Sequence, residues 1–310
     1  MKKKSLRAKA IRFRQFIPLV LLTLPGLVYL IINNYIPIAG LFIAFKSINY
    51  SKGLWGSPWC GLKNFKYLFA TADAWIITRN TVCYNLVFIV VNTVAAVIIA
   101  IMLNDLRSKR LVKLSQTAIL LPYMLSMVIV SYVVYALMAQ ENGFMNNTIL
   151  NILGIDPVNW YSAKGAWPFI LVLVNMWKQV GYLAIVYFSS VVGINTEYFE
   201  AARIDGASKL QQIRYVTLPL LKPTIIIMTL LAVGRIFSSD FGLFYQVPRD
   251  SGALYDVTNT IDTYVYRSLL QTGNIGMSSA AGFYQSIVGF VLVITANLIV
   301  RKIDPDNALF

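Results

Sequence analysis

The feature that most constrains this chain is a recurrence of uncharged apolar runs, each long enough to cross a bilayer. A helix needs roughly 20 consecutive apolar residues to span a hydrocarbon core of about 30 Å. In lipid, only helices and closed barrels satisfy their own backbone. Six runs qualify, near 16–44, 80–103, 114–138, 168–192, 219–241 and 282–300. Charge is scarce because these runs exclude it: 13% of residues are charged and 57% apolar, where an ordinary soluble domain carries about 25% charged residues. The mean hydropathy is +0.64. The expected fold is an all-α integral membrane protein of six transmembrane helices. The first run follows MKKKSLRAKAIRFR, as the core of a secretory signal would. It exceeds the roughly 7–15 apolar residues of such a signal, and no small-x-small site ends it. It therefore reads as an uncleaved span, with Pro25 and Pro37 as kink points.

Orientation follows from lysine and arginine in the connections. The N-terminus carries Lys2, Lys3, Lys4, Arg7, Lys9, Arg12 and Arg14; the second connection Arg107, Lys109, Arg110 and Lys113; the fourth Arg203, Lys209, Arg214 and Lys222; the C-terminus Arg301 and Lys302. The third connection holds only Lys164, and the fifth only Arg249 and Arg267. The first dissents with Lys46, Lys52, Lys63 and Lys66, but it is longer and opposes a stronger N-terminal cluster. Both termini and the fourth connection are expected in the cytoplasm. The formal net charge of +14 is thus a signal of membrane orientation, with no nucleic acid implied. Two cysteines, Cys60 and Cys83, and no histidine leave neither a disulfide framework nor a metal site indicated. They also remove the commonest general base.

One connection is unlike the others. Residues 196–223, TEYFEAARIDGASKLQQIRYVTLPLLKP, are polar, regular and closed by prolines. Thr196 suits an N-cap, with Glu197 and Glu200 at the positive end of a helix dipole. Gly206 supplies the left-handed residue that ends this helix, and Ser208 to Gln211 is a capping-box pattern opening a second. Tyr198 and Phe199 place large rings on a cytoplasmic helix, a knob for a groove. A packed inter-span loop is the alternative.

The run Glu200-Ala201-Ala202, two residues, Asp205-Gly206-Ala207, then Leu218-Pro219 and Pro223, resembles the EAA motif. That motif marks permease subunits of binding-protein-dependent ABC importers. GLKNFKYLF at 61–69 and the stretch 120–150, with its G-x-x-N loop, resemble further elements of the carbohydrate branch. The resemblance covers about residues 20–302 and implies the type I ABC importer permease fold. It divides the chain into a basic cytoplasmic N-terminus (1–15), a first helix with its external connection (16–74), a five-helix permease core (75–302) and a tail (303–310). Within the core, 196–218 becomes the coupling helix, which transmits closure of an ATPase dimer to the spans. Its implied contacts are Tyr198, Phe199, Glu200, Ala201, Ala202, Asp205, Gly206, Ala207 and Pro219. The implied partners are a second, homologous permease subunit, two ATPase subunits, an extracytoplasmic solute-binding protein, a saccharide cargo and the bilayer of a bacterial cell membrane. This chain would be no enzyme and hold no cofactor; ATP and Mg would belong to the ATPase. In keeping with this, GASKL at 206–210 lacks the glycine-lysine phosphate loop.

Polar residues inside spans normally face a cavity or a partner, because charge at the bilayer centre costs about 2.5–3.5 kcal/mol on insertion scales. Lys178, Arg235 and Asp240 are expected to converge in the outer half of the bundle, near Asn175, Trp177, Gln179, Tyr182, Tyr284 and Gln285. Amides, charges and aromatic faces suit a sugar-binding wall. A Lys178–Asp240 or Arg235–Asp240 ion pair holding the bundle is the other reading. Two competing functions stand beside the saccharide importer. One is the same machine for a non-sugar solute; the other is a secondary transporter or channel, which would show internal repeats and broken-helix ion sites.

Overall fold

The computed structural model describes residues 2–303, with side chains from 16 to 302. Most of residues 303–310, the expected tail, lie outside this description. The apolar runs fold as helices, and the only β pairing among the described residues is an isolated bridge between Lys46 and Trp59. The first span combines α1 (Lys2–Leu30) with a π turn and tighter helical turns, reaching Phe45. After α2 (Lys63–Ala70), α3 (Ala72–Asp105) is the longest helix and forms the axis of the bundle together with α6 (Trp167–Val192).

Two expectations about the spans need correction. The run at 114–138 is not one helix. It is broken into α4 (Lys109–Met124) and α5 (Met127–Met138), which meet at a bend of 95°. Pro122 removes a backbone donor in the last turn of α4. The Ser126 hydroxyl then accepts from Ile129 N and starts α5 as an N-cap. The fifth span also stops early, at Val233 rather than 241. Gly234 is a poor helix former, and the polar Ser238-Ser239-Asp240 favour local side-chain bonds over helix. A turn there leads into α9 (Phe241–Gln246), capped by the Asp240 carboxylate on Leu243 N.

The segment expected on the cytoplasmic side is α7 (Thr196–Ile204) followed by α8 (Lys209–Val233). The second helix expected there is not short, because it runs through a π turn at Ile213–Thr217 straight into the fifth span. That wider turn accommodates Pro219, which has no N–H to donate. The opposite end of the bundle is completed by α10 (Ile261–Leu270), and α11 (Ile275–Ile303) is the last span.

Packing concentrates along α3 and α6. Ala96, Ala100 and Ala184 are fully buried, the small contacts that let membrane helices approach. Gly181 goes further: a Cβ there would lie 1.8 Å from the Ile119 carbonyl, so α4 crosses α6 backbone to backbone. Away from α7, Tyr84, Phe88, Trp167, Phe244 and Val247 form a larger cluster joining α3, α5, α6 and α9. The first span takes no part in these cores. None of its apolar window is buried, and only its C-terminal end, Gly40–Phe45, packs on α11.

Candidate functional site

Both breaks in the spans border one cavity. It measures about 690 Å³ and is lined by α3, α6, α8, Tyr123 at the end of α4, and the unwound residues before α9. Its wall carries Asn85, Asn92, Asn175, Gln179, Arg235, Ser238, Ser239 and Asp240 between apolar side chains. Asn92 Nδ2 donates to Asn175 Oδ1 at 2.8 Å, a buried bond between α3 and α6. Tyr123 and Tyr182 stack with ring centroids 5.0 Å apart and planes 15° from parallel, forming a flat aromatic section of the wall.

The unwound segment 234–240 is held from three sides. Asn85 Nδ2 donates to the Ile236 and Ser238 carbonyls, each at 2.9 Å. Gln285 Nε2 donates to the Phe237 carbonyl at 2.9 Å and to Asp262 Oδ2 at 3.1 Å. The Ser239 amide and hydroxyl donate to the same Asp262 oxygen at 2.7 and 2.8 Å. Non-helical backbone at membrane depth survives only where protein or a water-filled space satisfies it. This segment meets that condition.

The eight residues expected on a substrate path therefore divide. Asn175, Tyr182, Arg235 and Asp240 line the cavity; Trp177, Lys178, Tyr284 and Gln285 do not. Gln285 braces the unwound segment. Tyr284 packs edge-on against Phe69 and Phe237, its hydroxyl 3.4 Å from that of Thr78. Trp177 is 41% exposed. Lys178 is buried and turned to the carbonyls of Pro122, Tyr123 and Leu125. The expected ion pairs are absent: among the described residues neither Lys178 nor Arg235 pairs with Asp240. Asn85, Asn92, Tyr123 and Asp262 escaped a search keyed to charge within apolar runs. An amide inside the run 80–103 is the signal that finds the first two.

At the other end of the bundle, α7 stands clear of the spans. Its N-cap is Asn195 rather than Thr196, with the Asn195 carboxamide oxygen accepting from Glu197 N at 3.1 Å. Its C-terminus closes in a Schellman turn: Ala207 N bonds Ala202 O at 2.9 Å and Gly206 N bonds Arg203 O at 3.0 Å. Gly206 has φ +77°, the left-handed conformation this turn demands. Ser208 and Gln211 form the expected capping box. Asp205 is exposed at the C-cap, Ala201 is exposed, and Ala202 and Ala207 are half-buried. Phe199 and Glu200 turn toward a hollow of about 730 Å³ shared with Asp105, Arg107 and Lys209, and Lys209 pairs with Asp105 at 2.7 Å. Tyr198 and Ile204 face outward, Ile204 being 87% exposed.

Residues 83–305 match the family described as binding-protein-dependent transport system inner membrane component. The chain belongs to this family. It is an inner-membrane permease component, and the broken spans and the protruding α7 are features of that component. It is similar to the polygalacturonan/rhamnogalacturonan transport system permease protein YteP of Bacillus subtilis (strain 168), with 29% identity over 99% of this chain and 94% of that one. Protein LplB of the same organism is 30% identical over 93% of this chain and 90% of its own length. Among solved structures, a bacterial ABC transporter involved in import of the acidic polysaccharide alginate superposes with a TM-score of 0.87. The identity is 29%, covering 96% of this permease and 99% of that chain.

Proposed function

We propose that this permease component forms one half of the path by which an ATP-driven importer moves a saccharide into the cell. The observation that carries the reading is likeness over nearly the whole chain to permeases whose stated cargoes are pectic polysaccharides and alginate. The cavity supports it chemically. Amides, hydroxyls, one arginine and one aspartate offer directional bonds to sugar hydroxyls, and the Tyr123–Tyr182 pair offers an aromatic surface to the apolar face of a pyranose. In this reading an extracytoplasmic binding protein delivers the cargo, a second permease subunit completes the path, and both termini with α7 are cytoplasmic. ATP and Mg act in separate ATPase subunits that receive α7, with Tyr198, Glu200 and Asp205 as the exposed contacts.

The test uses the whole transporter in cells. Gly206→Val forces a β-branched residue into the left-handed region, where an L-residue already loses roughly 1–2 kcal/mol. No atom lies within 4 Å of the added Cβ, so the effect is confined to the turn. Glu200→Lys reverses a charge at the proposed contact. Both variants insert normally, while uptake of a labelled oligogalacturonate falls about tenfold or more, the equivalent of ~1.4 kcal/mol or more at the rate-limiting step. Wild-type uptake in both variants with the ATPase fully bound would overturn the coupling role. Loss of amino-acid uptake with saccharide uptake intact on deleting this chain would overturn the cargo class.

A further inference from the structure

The third span breaks half-way along its length, and α4 ends there with a last-turn bond from Leu125 N to the Pro122 carbonyl at 3.2 Å, leaving the Tyr123 and Leu125 carbonyls beyond it without a backbone partner among the described residues. Such groups are costly at membrane depth unless another part of the protein satisfies them. Lys178, on the neighbouring α6, lies 8% exposed with its amine directed to this end. Nζ donates to the Tyr123 carbonyl at 3.1 Å, reaches the Pro122 carbonyl at 3.5 Å and bonds the Leu125 carbonyl. An ammonium has three hydrogens and no acceptor, which matches this set of oxygens. A cation at a helix C-terminus is also favoured by the helix dipole. Three residues further along α6, Gly181 lets α4 approach to backbone contact. Lys178 and Gly181 therefore grip the last two turns of α4 from the same helix.

The gripped turn carries Tyr123. Lys178 Nζ stands 6.0 Å from the centre of the Tyr123 ring, and the far partner of that ring is Tyr182 on α6, one residue beyond Gly181. We propose that Lys178 is a positioning residue, whose amine caps the interrupted third span and so holds Tyr123 against Tyr182 in the cavity wall. It touches no cargo in this role. It acts through the backbone, and the oxygens of residues 122, 123 and 125 keep the span broken where the cavity needs an aromatic face. The meaning of that face for a saccharide rests on the function proposed above; the capping itself does not.

The experiment is arranged so that the two can fail separately. In the complete transporter, purified and reconstituted, Cys60 and Cys83 are first replaced by serine. Spin labels at Leu111→Cys on α4 and Leu137→Cys on α5 read the bend, since both positions are exposed on this chain. With a 1.5 Å rise per residue the labelled backbone points lie about 26 Å apart when bent and about 39 Å apart if the span straightens. A second protein carries Tyr123→Cys and Tyr182→Cys, joined by a short bifunctional thiosulfonate. Lys178→Met lengthens and broadens the distance distribution and takes the cross-link to background; Lys178→Arg, which keeps the donors, restores both. If the Met variant assembles poorly, Lys178→Gln retains two donors and shows the same changes in smaller degree. Unchanged distances and an unchanged cross-link in the Met or Gln variant overturn the proposal. Neither measurement needs cargo, so a transporter that moves no saccharide leaves this result standing while refuting the cargo assignment.

Discussion

Asn92 shows how one side chain acquires a role from its surroundings. Its amide nitrogen is committed to Asn175, while its Oδ1 is buried with no hydrogen-bond partner among the described residues. An unmade bond at a buried acceptor costs ~1–3 kcal/mol, and Asn92 borders the cavity. Turned into the cavity, this oxygen would accept from a saccharide hydroxyl. Asn92→Leu should therefore weaken uptake of a transported oligosaccharide about tenfold through KM, the scale of one bond of ~1–2 kcal/mol. Asn92→Asp, which keeps the acceptor, should lose less. Kinetics of labelled uptake at matched transporter levels decide the matter, and an unchanged KM in the leucine variant removes Asn92 from the binding wall. Lys178 makes the opposite case. Its position in an apolar run marks it as important, yet its bonds go to backbone oxygens and none to a carboxylate.

At the scale of elements, the connection between α9 and α10 stores strain and holds it with charge. Arg249 and Asp250 both have positive φ, 56° and 50°, closing the end of α9. The Asp250 carboxylate accepts from Arg267 Nε at 2.7 Å, Gln271 Nε2 at 2.9 Å and the Tyr255 hydroxyl at 3.1 Å. Partial burial alone would raise its pKa; the bonds from Gln271, Arg267 and Tyr255 outweigh that and hold it below the ordinary carboxylate value of 3.8. The unfolded connection thus takes up this proton first. The stabilisation is complete above the ordinary value, fades as pH falls beneath it, and is gone below the folded value. Hydrogen-exchange protection of residues 249–271, corrected for intrinsic rates, should match at about pH 7 and about pH 5 and drop by about pH 3. Asp250→Asn should lower protection at neutral pH and flatten the dependence. A wild-type profile that already falls at about pH 5 contradicts this account.

At the scale of the molecule, the bundle leaves α7 and the α9–α10 connection at opposite ends, and the charge counts predict that α7 lies inside. Cysteines at Ser108 and Ser208 should react with an impermeant maleimide only after the cytoplasmic face is opened, and one at Ala253 should react in sealed cells. Labelling of Ser208 in sealed cells would reverse the topology and remove α7 from any ATPase. The sequence by itself determined which runs are long and apolar enough to span, five single helices and one bent pair among the described residues, because an uncharged run of sufficient length has no other stable place than the bilayer. It determined the turn at Gly206 as well, since local capping chemistry and a left-handed glycine are encoded within a few residues. It foretold neither the 95° break in the third span nor the early end of the fifth, because hydropathy registers only length and polarity. A helix stops inside a membrane only where side chains distant in sequence take over its backbone bonds. Lys178 does this for Tyr123 and Leu125, and Asn85 and Gln285 do it for residues 236–238. The cavity lies between those two breaks, so its residues became visible only once the tertiary structure had brought the distant donors to them.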